Sequence, residues 1–472
     1  MSEAKYDYGM IGLGTMGRNL LLNMSDHSYA VAGFDLDADK VNSLKKEGEG
    51  RKILGAATLQ EFVDALKTPR TILLLVPAGD PVDKVILGLK PLLSAEDLIM
   101  DCGNSHYTDT DRRVTALAKD NIHFMGVGVS GGEMGARFGP SIMPGGSQDA
   151  YERIGAMLEA VSAKVNDEPC VAYLGPGASG HYVKMVHNGI EYAIMQLIAE
   201  AYHILKEIGG MSNEELHETF AKWNEGKIRS FLIEITAEIF ARRDDLTKGM
   251  LIDMILDSAQ QKGTGKWTSQ DAMDLVVPIP AIDTALSARY LSADKQQRTE
   301  GEKMLKGPQA QMQMDMQELV SALEDAIYFS MIISYAQGMT LLTQASGHYG
   351  YELKLEEIAK IWRGGCIIRS GLLEHIRAAY AQDKDLVSIL LDEKLAHDVY
   401  THQQGIRRVL SVAVEAGVPM PAMMSCLAYY DSYRRAWMPS NLIQAQRDFF
   451  GAHTYHRTDR EGVFHTQWEQ KQ

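Results

Sequence analysis

Residues 8–20, YGMIGLGTMGRNL, decide the fold of the first part of the chain. The short apolar run 8–13 is typical of a buried strand, and it leads into the glycine pattern Gly12-Leu13-Gly14-Thr15-Met16-Gly17. A helical pattern follows at 18–27, and a second strand candidate, YAVAGF at 29–34, ends at Asp35. This order of strand, glycine turn, helix and strand predicts a βαβ unit that holds a dinucleotide by its pyrophosphate.

The residues after the second strand candidate bear on which dinucleotide is bound. Asp35 follows Gly14 by 21 positions and is placed to accept hydrogen bonds from the 2′-hydroxyl of an adenosine ribose. Asp37 adds a second carboxylate, whereas Leu36 supplies no charge. Because carboxylates repel a 2′-phosphate, this segment favours NAD over NADP. A glycine-rich turn without a ligand is the alternative, and the strand and helix around it argue against that alternative.

Further apolar runs continue the alternation of strands and helices. TILLLV (71–76), DLIMDC (97–102) and HFMGVGV (123–129) predict a Rossmann domain, a doubly wound parallel sheet of the α/β class, over residues 1–178. The Gly175-Pro176-Gly177 segment is a plausible joint. Long helical patterns then predict a large all-α domain at 179–436, followed by a polar, aromatic C-terminal tail at 437–472.

The helical part contains an internal repeat. AKWNEGKIRSFLIEI (221–235) is similar to AKIWRGGCIIRSGLLEHI (359–376), which predicts a duplicated helical unit. The segment HYVKMVHNGIEYAIMQ (181–196) places Lys184, His187, Asn188 and Glu191 at i, i+3, i+4 and i+7, on one face of a helix. The corresponding segment of the second copy, EDAIYFSMIISYAQ (324–337), lacks this polar stripe. The first copy therefore carries the chemistry.

Three clusters have the residue types that bind anions. GVSGG (128–132) follows a strand candidate, where backbone N–H groups and the Ser130 hydroxyl could hold a carboxylate. QKGTGKW (261–267) combines lysines, a threonine and glycines without the spacing of a P-loop. Arg289 lies in a nearby helical pattern, and Arg447 and His453 lie in the tail. Each cation alone is explained equally well as part of a solvated surface.

The composition limits the possible partners and location. A formal net charge of −15 argues against binding nucleic acid or an anionic membrane surface. Since no apolar run approaches the roughly 20 residues of a membrane span and no signal peptide precedes the first strand, we expect a cytoplasmic protein. The four cysteines are far apart and form no CxxC pair, and no cluster of carboxylates predicts a metal site.

Seven motifs spread over essentially the whole chain resemble those of the decarboxylating 6-phosphogluconate dehydrogenase family. They are GLGTMGRNL, GNSHYTDT, GVSGGEMGARFGPSIMPGG, GHYVKMVHNGIEY, QKGTGKW, WRGGCIIRSGLLE and NLIQAQRDFFGAHTYHR, in that family's order. The resemblance implies metal-independent oxidation and decarboxylation of 6-phosphogluconate to ribulose 5-phosphate and CO2. It also implies a homodimer in which each C-terminal tail enters the partner subunit.

The resemblance assigns roles to individual residues. Lys184 corresponds to the general base and Glu191 to the general acid. The substrate-binding positions it implies are Asn104, Ser130, Gly131, Gly132, His187, Asn188, Tyr192, Lys262, Thr264 and Arg289, with Arg447 and His453 from the other subunit. The cofactor-binding positions it implies are Gly12, Leu13, Gly14, Thr15, Met16, Gly17, Asp35, Leu36, Asp37, Val76, Pro77, Ala78 and Asn104.

The chain departs from the family's usual pattern beside the expected 2′-phosphate. Members that use NADP carry Asn-Arg-Ser/Thr after the second strand, where this chain has Asp35-Leu36-Asp37. They often carry lysine in an LLVKAG-like segment, where this chain has Pro77. Both changes make the site more negative, so we expect NAD, although NADP remains the family's default.

Two other functions are compatible with parts of the sequence. A 3-hydroxy acid dehydrogenase for a small unphosphorylated substrate would have no use for Lys262, Arg289, Arg447 or the long duplicated helical part. A catalytically silent dinucleotide-binding sensor would not need Lys184 and Glu191.

Overall fold

The computed structural model describes residues 6–308 and 314–468, and its first part is built on one seven-stranded sheet. The strands are β1 (Tyr8–Ile11), β2 (Val31–Phe34), β3 (Ile53–Gly55), β4 (Thr71–Leu74), β5 (Leu98–Asp101), β6 (His123–Ser130) and β7 (Ser141–Gly145). Their order in space is β3-β2-β1-β4-β5-β6-β7, so the chain reverses direction across the sheet between β1 and β4. Ligands of doubly wound sheets bind at this reversal.

The predicted parallel sheet is confirmed for six strands, and one edge strand departs from it. Strands β1 to β6 pair in parallel, but β7 runs antiparallel to β6, with Ser130 opposite Ser141. The connection between them is only α6 and a few loop residues, and a short link of this kind permits an antiparallel return. Strand β7 and the short β3 have too few apolar residues for the periodicity to reveal them.

The helices of the first part cover both faces of the sheet. They are α1 (Thr15–Asp26), α2 (Ala38–Glu47), α3 (Leu59–Asp64), α4 (Asp80–Leu89), α5 (Tyr107–Ala118), α6 (Gly132–Phe138) and α7 (Gln148–Val161), with a 3-10 turn at Lys90–Leu92. Neighbouring strand residues point to opposite faces and join different apolar clusters, as Met10 and Ile11 do. A small ribbon of β8 (Lys164–Val165) and β9 (Glu168–Pro169) ends this part.

The rest of the described chain is helical. Its helices are α8 (Ser179–Glu207), α9 (Asn213–Trp223), α10 (Phe231–Ala241), α11 (Leu251–Met254), α12 (Thr264–Asp274), α13 (Pro280–Ala293), α14 (Lys295–Met304), α15 (Met316–Tyr349), α16 (Leu355–Ile361), α17 (Leu372–Gln382), α18 (Glu393–Ala416), α19 (Pro421–Tyr433) and α20 (Ser440–Gly451), with a 3-10 turn at Ile389–Leu391. The division into units at residues 178 and 436 stays a prediction.

The predicted repeat corresponds to two similar helical units. Helices α8, α9 and α10 form one series, a long helix followed by two short ones, and α15, α16 and α17 form the other. The two units meet at an antiparallel bridge between Ser230 and Ser370. Each side donates one backbone hydrogen bond to the other, from Phe231 to Arg369 at 3.0 Å and from Gly371 to Arg229 at 3.1 Å. This reciprocal pairing is what a local two-fold relation between duplicated units requires.

Helix α8 packs directly on the sheet because its first turn contains glycine. A Cβ added to Gly180 would lie 2.3 Å from the carbonyl oxygens of both Gly126 and Met143. This distance is too short for any side chain at this position. The helix therefore lies against the middle of β6 and the carboxyl half of β7. This contact brings the polar stripe of α8 to the edge of the sheet where the strands end.

The expectation about apolar runs requires one correction. Helix α15 is long and apolar enough to cross a membrane by length and composition, with a mean hydropathy of 1.3 over its best window. However, 78% of that window is buried inside the protein, where α15 packs against α8 and α18. We therefore interpret α15 as the central core helix of the helical part.

The part of the C-terminal tail that the structure describes is held by one buried carboxylate. Asp448 of α20 accepts hydrogen bonds from the backbone N–H groups of Thr454 and Thr466 and from the Trp468 indole, at 2.9–3.0 Å. By contrast, apolar side chains of α20 such as Phe449 and Phe450 are exposed, Phe450 to 74%. The described part of the tail thus combines internal hydrogen bonds with an exposed apolar surface.

Candidate active site

A cavity of about 540 Å³ lies at the carboxyl ends of β1, β2 and β4, where the strand order reverses. Gly12 adopts φ +95° in the turn after β1, a conformation that glycine allows without strain. A Cβ on Gly17 would lie 1.9 Å from the Gly12 carbonyl oxygen, so glycine there lets α1 begin directly behind the turn. Gly14 has nothing within 4 Å of an added Cβ, which leaves open space over the N-terminus of α1 for a pyrophosphate.

The carboxylate of Asp35 lies at the rim of this cavity. Its Oδ2 accepts a hydrogen bond from the Leu13 N–H at 2.7 Å, and its Oδ1 accepts one from the Asp37 N–H at 2.9 Å. Leu36 lines the cavity and is 95% exposed. These contacts orient the Asp35 carboxylate where a ribose of a bound dinucleotide would lie.

Two cations that line this cavity were missed from the sequence. Lys40 Nζ lies 3.7 Å from a carboxylate oxygen of Asp35 and 3.7 Å from one of Asp37, and Lys84 of α4 also lines the cavity. Their positions in the sequence could have indicated both lysines. Lys40 lies in the first turn of α2 and Lys84 in the second turn of α4, and both helices follow strands that end at the cavity. Of the other cofactor positions, Val76 and Pro77 line the cavity, Thr15 and Met16 open α1, and Ala78 is exposed.

Asn104 is held at the carboxyl end of β5 by a buried support. Asp101 accepts hydrogen bonds from the Gly103 N–H at 3.0 Å and from the Ser105 hydroxyl at 2.6 Å. Arg113 also donates to Asp101, at 3.4 Å. The Asn104 side chain itself is exposed, so it is free to contact a ligand.

Lys184 is buried between α8 and the end of the sheet, with only 6% of the residue exposed. A Cβ on Gly128 of β6 would lie 2.5 Å from the Cβ of Lys184, so the glycine makes room for the lysine. Glu191 lies two turns further along α8, and its carboxylate is 3.9 Å from Nδ1 of His187. The structure therefore brings the predicted base and acid to the same face of one helix.

Burial shifts the pKa values of these groups in the direction that acid–base chemistry needs. Desolvation lowers the pKa of the Lys184 amine, and the nearby Glu191 carboxylate opposes that change. Desolvation likewise raises the pKa of Glu191 against the opposing effect of Lys184. Burial, with the adjacent Lys184 charge, holds the pKa of His187 well below its usual value, so that imidazole stays neutral.

A chain of hydrogen bonds connects the end of β6 with the start of α12. The Ser130 hydroxyl and His187 Nε2 are 3.3 Å apart, and His187 Nδ1 is 2.9 Å from the Asn188 side-chain oxygen. The amide nitrogen of Asn188 then donates to the Thr264 hydroxyl at 3.2 Å. Four predicted site residues from three separate segments thus form one continuous surface, with Gly131 and Gly132 at its β6 end.

The cations of the predicted anion site are only partly brought together in the described chain. The Arg289 guanidinium lies 3.5 Å from the centre of the Tyr192 ring and donates to the Gln260 carbonyl at 3.3 Å, beside the exposed Lys262. Arg447 is exposed and bonds only within its own helix, to Gln444 at 3.0 Å. Within residues 6–308 and 314–468, neither Arg447 nor His453 forms a hydrogen bond or ion pair with α8 or α12.

Two kinds of reactive group are absent or shielded near Lys184. Throughout the described parts of the chain, no group of three or more His, Cys, Asp and Glu side chains is placed to hold a metal ion. Cys366 lies close to Lys184, but burial raises the pKa of its thiol to about 12 and its sulfur donates to the Trp362 carbonyl. The thiol is therefore protonated and occupied.

Comparison with known proteins shows which family has this arrangement. A family model described as the NAD binding domain of 6-phosphogluconate dehydrogenase matches residues 7–175, and one described as its C-terminal domain matches residues 180–468. The chain belongs to the 6-phosphogluconate dehydrogenase family. Its fold, a Rossmann sheet followed by a large helical region, is that of the family, as the sequence predicted.

Individual members of the 6-phosphogluconate dehydrogenase family are similar over nearly their whole length. The NADP(+)-dependent, decarboxylating enzyme of Bacillus subtilis is 51% identical, covering 98% of this chain and 99% of the relative. The decarboxylating enzyme of Synechococcus elongatus is 50% identical, covering 98% and 100%. The Plasmodium falciparum enzyme, solved in its apo form and with its cofactor NADP+ and its substrate 6-phosphogluconate, superposes with a TM-score of 0.94 at 43% identity, covering 98% and 100%.

We expect Glu191→Gln to lower the pKa of Lys184 further, because the carboxylate of Glu191 favours the charged ammonium form. Competitive labelling with trace acetic anhydride at a series of pH values, quantified on the peptide that contains Lys184, measures this pKa. Glu133→Gln on α6 is the matched control and should leave the pH dependence of Lys184 labelling unchanged. A higher Lys184 pKa in Glu191→Gln would contradict the assigned interaction.

Proposed function

We propose that this protein oxidises and decarboxylates 6-phospho-D-gluconate to D-ribulose 5-phosphate and CO2, with transfer of hydride to a nicotinamide dinucleotide. The observation that carries the proposal is the hydrogen-bonded chain from Ser130 to Thr264, which runs beside Lys184 and Glu191. It offers donors for a carboxylate at one end and for a phosphate at the other. The names of the similar enzymes support the same activity and its place in the oxidative pentose phosphate pathway.

The proposed reaction uses the polar stripe of α8 in two steps. A neutral Lys184 amine takes the proton from the substrate's 3-hydroxyl as the hydride leaves C3. A bound nicotinamide ring supplies the acceptor for that hydride. The resulting β-keto acid loses CO2 from C1, and the electron pair moves into an enediol whose oxygen the Lys184 ammonium stabilises. Glu191 then protonates the carbon that lost CO2, which yields the ketone product.

The remaining site residues bind the two charged ends of the substrate. We propose that Ser130, Gly131 and Gly132 hold the carboxylate, and that Asn104, His187 and Asn188 contact the first three carbons and the nicotinamide. Tyr192, Lys262, Thr264 and Arg289 would hold the phosphate. Since the Lys184 ammonium stabilises the enediol oxygen, we propose that the reaction needs no divalent cation.

With 6-phosphogluconate and NAD, we expect reduced cofactor and CO2 to form in equal amounts, and we expect no turnover of 3-hydroxyisobutyrate. Absorbance of the reduced cofactor and trapped CO2 measure the two products. Lys184→Met should lower kcat by about 10²- to 10⁴-fold because it removes the base. Lys119→Met, at an exposed position at the end of α5, is the control. Turnover of 3-hydroxyisobutyrate in preference to 6-phosphogluconate would contradict the proposed function.

We further propose that NAD is the preferred cofactor. The Asp35 carboxylate is oriented by the Leu13 and Asp37 N–H groups, and Lys40 is shared between the two carboxylates at 3.7 Å. The positive charge of Lys40 is therefore compensated, while Leu36 and Pro77 add none. A 2′-phosphate would meet the Asp35 carboxylate instead of an arginine.

The double change Asp35→Asn, Leu36→Arg should raise the ratio of kcat/KM with NADP to that with NAD by at least about tenfold, since roughly 1.4 kcal/mol of differential binding corresponds to that factor. Steady-state kinetics with both cofactors measure the ratio. Asp39→Asn, nearby on α2, should leave it unchanged. A wild-type preference for NADP, or no change in the double variant, would remove this interpretation of the cofactor site.

We also propose a cytoplasmic homodimer in which each tail completes the partner's site with Arg447 and His453. The exposed apolar side chains of α20, among them Phe449 and Phe450, are suited to a buried interface. A net charge of −15 disfavours nucleic acid and anionic membranes as partners. The described cysteines are buried free thiols, as expected in a reducing compartment.

Exchange of tails predicts complementation between two inactive variants. Lys184→Met and Arg447→Met protomers should each be weakly active alone, but a co-expressed mixed dimer contains one site with an intact Lys184 and an intact Arg447. We therefore expect activity to return to as much as about half of the wild-type value per mixed dimer. Mixed dimers of Lys184→Met with a protomer that carries both Lys184→Met and Arg447→Met should stay inactive. A lack of rescue in the first mixture would contradict tail exchange.

A further inference from the structure

Side chains from four separate helices meet at one buried carboxylate, that of Asp271 on α12. The hydroxyl of Tyr107 on α5 donates to Oδ1 at 2.5 Å, and that of Tyr349 on α15 donates to the same oxygen at 2.7 Å. The hydroxyl of Tyr182 on α8 donates to Oδ2. Sequence spacing gave no signal for this cluster, because its members are far apart in the chain.

The cluster is built for a carboxylate. Asp271 is 3% exposed, and it has no Lys or Arg partner in the part of the chain that the structure describes. A carboxylate only accepts hydrogen bonds, so it satisfies three hydroxyl donors, whereas an amide would turn a donor toward one of them. Burial and the Asp271 charge raise the pKa of each of the three tyrosines, that of Tyr349 to about 12, so all three hydroxyls remain donors.

Asp271 is the last of three polar contacts that fix α12 along α8. The Thr264 hydroxyl at the start of α12 forms the contact with α8 described above. One turn later, the Thr268 hydroxyl donates to the Met185 carbonyl at 2.9 Å. Asp271 then binds Tyr182, so positions i, i+4 and i+7 of α12 contact successively earlier turns of α8. A displacement at Asp271 is therefore transmitted to the end of α12 that carries Thr264.

Tyr107 connects this helix pair to the sheet-bearing part of the chain. It opens α5 three residues after Asn104, the candidate ligand at the end of β5. The His106 ring stacks on Tyr107 with centres 4.8 Å apart and contacts the edge of Trp267, in the first turn of α12, at 4.9 Å. The segment that carries Asn104 thus contacts α12 at two residues, Asp271 and Trp267.

We infer that Asp271 is a positioning residue: through Tyr107 it sets the separation between Asn104 and Thr264, and thereby the register between the reacting and phosphate-bearing ends of the substrate. This inference rests on the proposed function for the identity of the substrate. Asp271 is buried, and its carboxylate is bonded to the three tyrosine hydroxyls. It acts by fixing α12 against α8 and α5.

Kinetics of Asp271→Asn, Tyr107→Phe and the double variant test this role. Each single change should raise the KM for 6-phosphogluconate about tenfold, since a lost buried hydrogen bond to a charged group is of that size. The KM for the dinucleotide, of whose proposed contacts only Asn104 lies on this segment, should rise clearly less. Because Tyr107 acts through Asp271, the double variant should show about the same increase as Asp271→Asn alone. An increase near a hundredfold in the double variant, or equal increases for substrate and cofactor, would overturn the inference.

A matched pair elsewhere controls for the loss of a tyrosine–aspartate contact. Tyr328 on α15 donates to Asp398 on α18 at 3.0 Å, away from the site. Tyr328→Phe and Asp398→Asn should leave both KM values within about twofold of wild type. Substrate effects of the same size in these controls would show that general destabilisation explains the result.

Hydrogen exchange provides a readout that does not depend on turnover. In the full-length protein, Tyr107→Phe should speed amide exchange in the peptide 261–268 at the start of α12, although residue 107 lies in a different part of the chain. Tyr328→Phe should not. Unchanged exchange in Tyr107→Phe would overturn the inference even if 6-phosphogluconate is the substrate. A wild-type protein that fails to oxidise 6-phosphogluconate would instead refute the proposed function, and the exchange comparison would still decide the role of Asp271.

Discussion

Helix α8 lies so close to the sheet that Gly180 contacts the carbonyl oxygens of β6 and β7 with no room for a Cβ. The positions of the polar groups on α8 depend on this approach. One turn along, Lys184 takes the space left over Gly128, and the next two turns carry His187, Asn188 and Glu191 past the strand ends. A long helix that crosses the sheet edge thereby aligns its own polar side chains with Ser130 at the end of β6.

The same burial determines the chemistry available to the row. Removing Lys184 and Glu191 from water favours the neutral form of each, while their mutual attraction favours the charged forms. The balance between the two effects is sensitive to any further charge nearby. An anionic substrate on one side and a cationic nicotinamide on the other would each shift it. This protein therefore does not need a strongly displaced pKa at rest to perform proton transfer in the complex.

Local patterns predicted the parts of the structure that depend on short stretches of sequence. The glycine turn, Asp35, the polar stripe of α8 and the repeat at Arg229 and Arg369 were all visible in the chain. The antiparallel β7 was missed because a five-residue strand has almost no periodicity. The apolar character of α15 was underestimated because its apolar residues are interspersed with Ser, Thr, Gln and Gly. The carboxylate of Asp271 was missed because only the tertiary fold brings its partners together.

The apolar character of α15 has a consequence for how the chain is made. A helix with the hydropathy of a membrane span would be exposed to off-pathway association as it leaves the ribosome. Its packing partner α8 is synthesised more than a hundred residues earlier, so a docking surface already exists when α15 emerges. The duplicated copy that carries the polar stripe comes first in the chain, before the more apolar α15. The order of the two copies along the chain thus makes α8 available before the apolar helix that packs against it is synthesised.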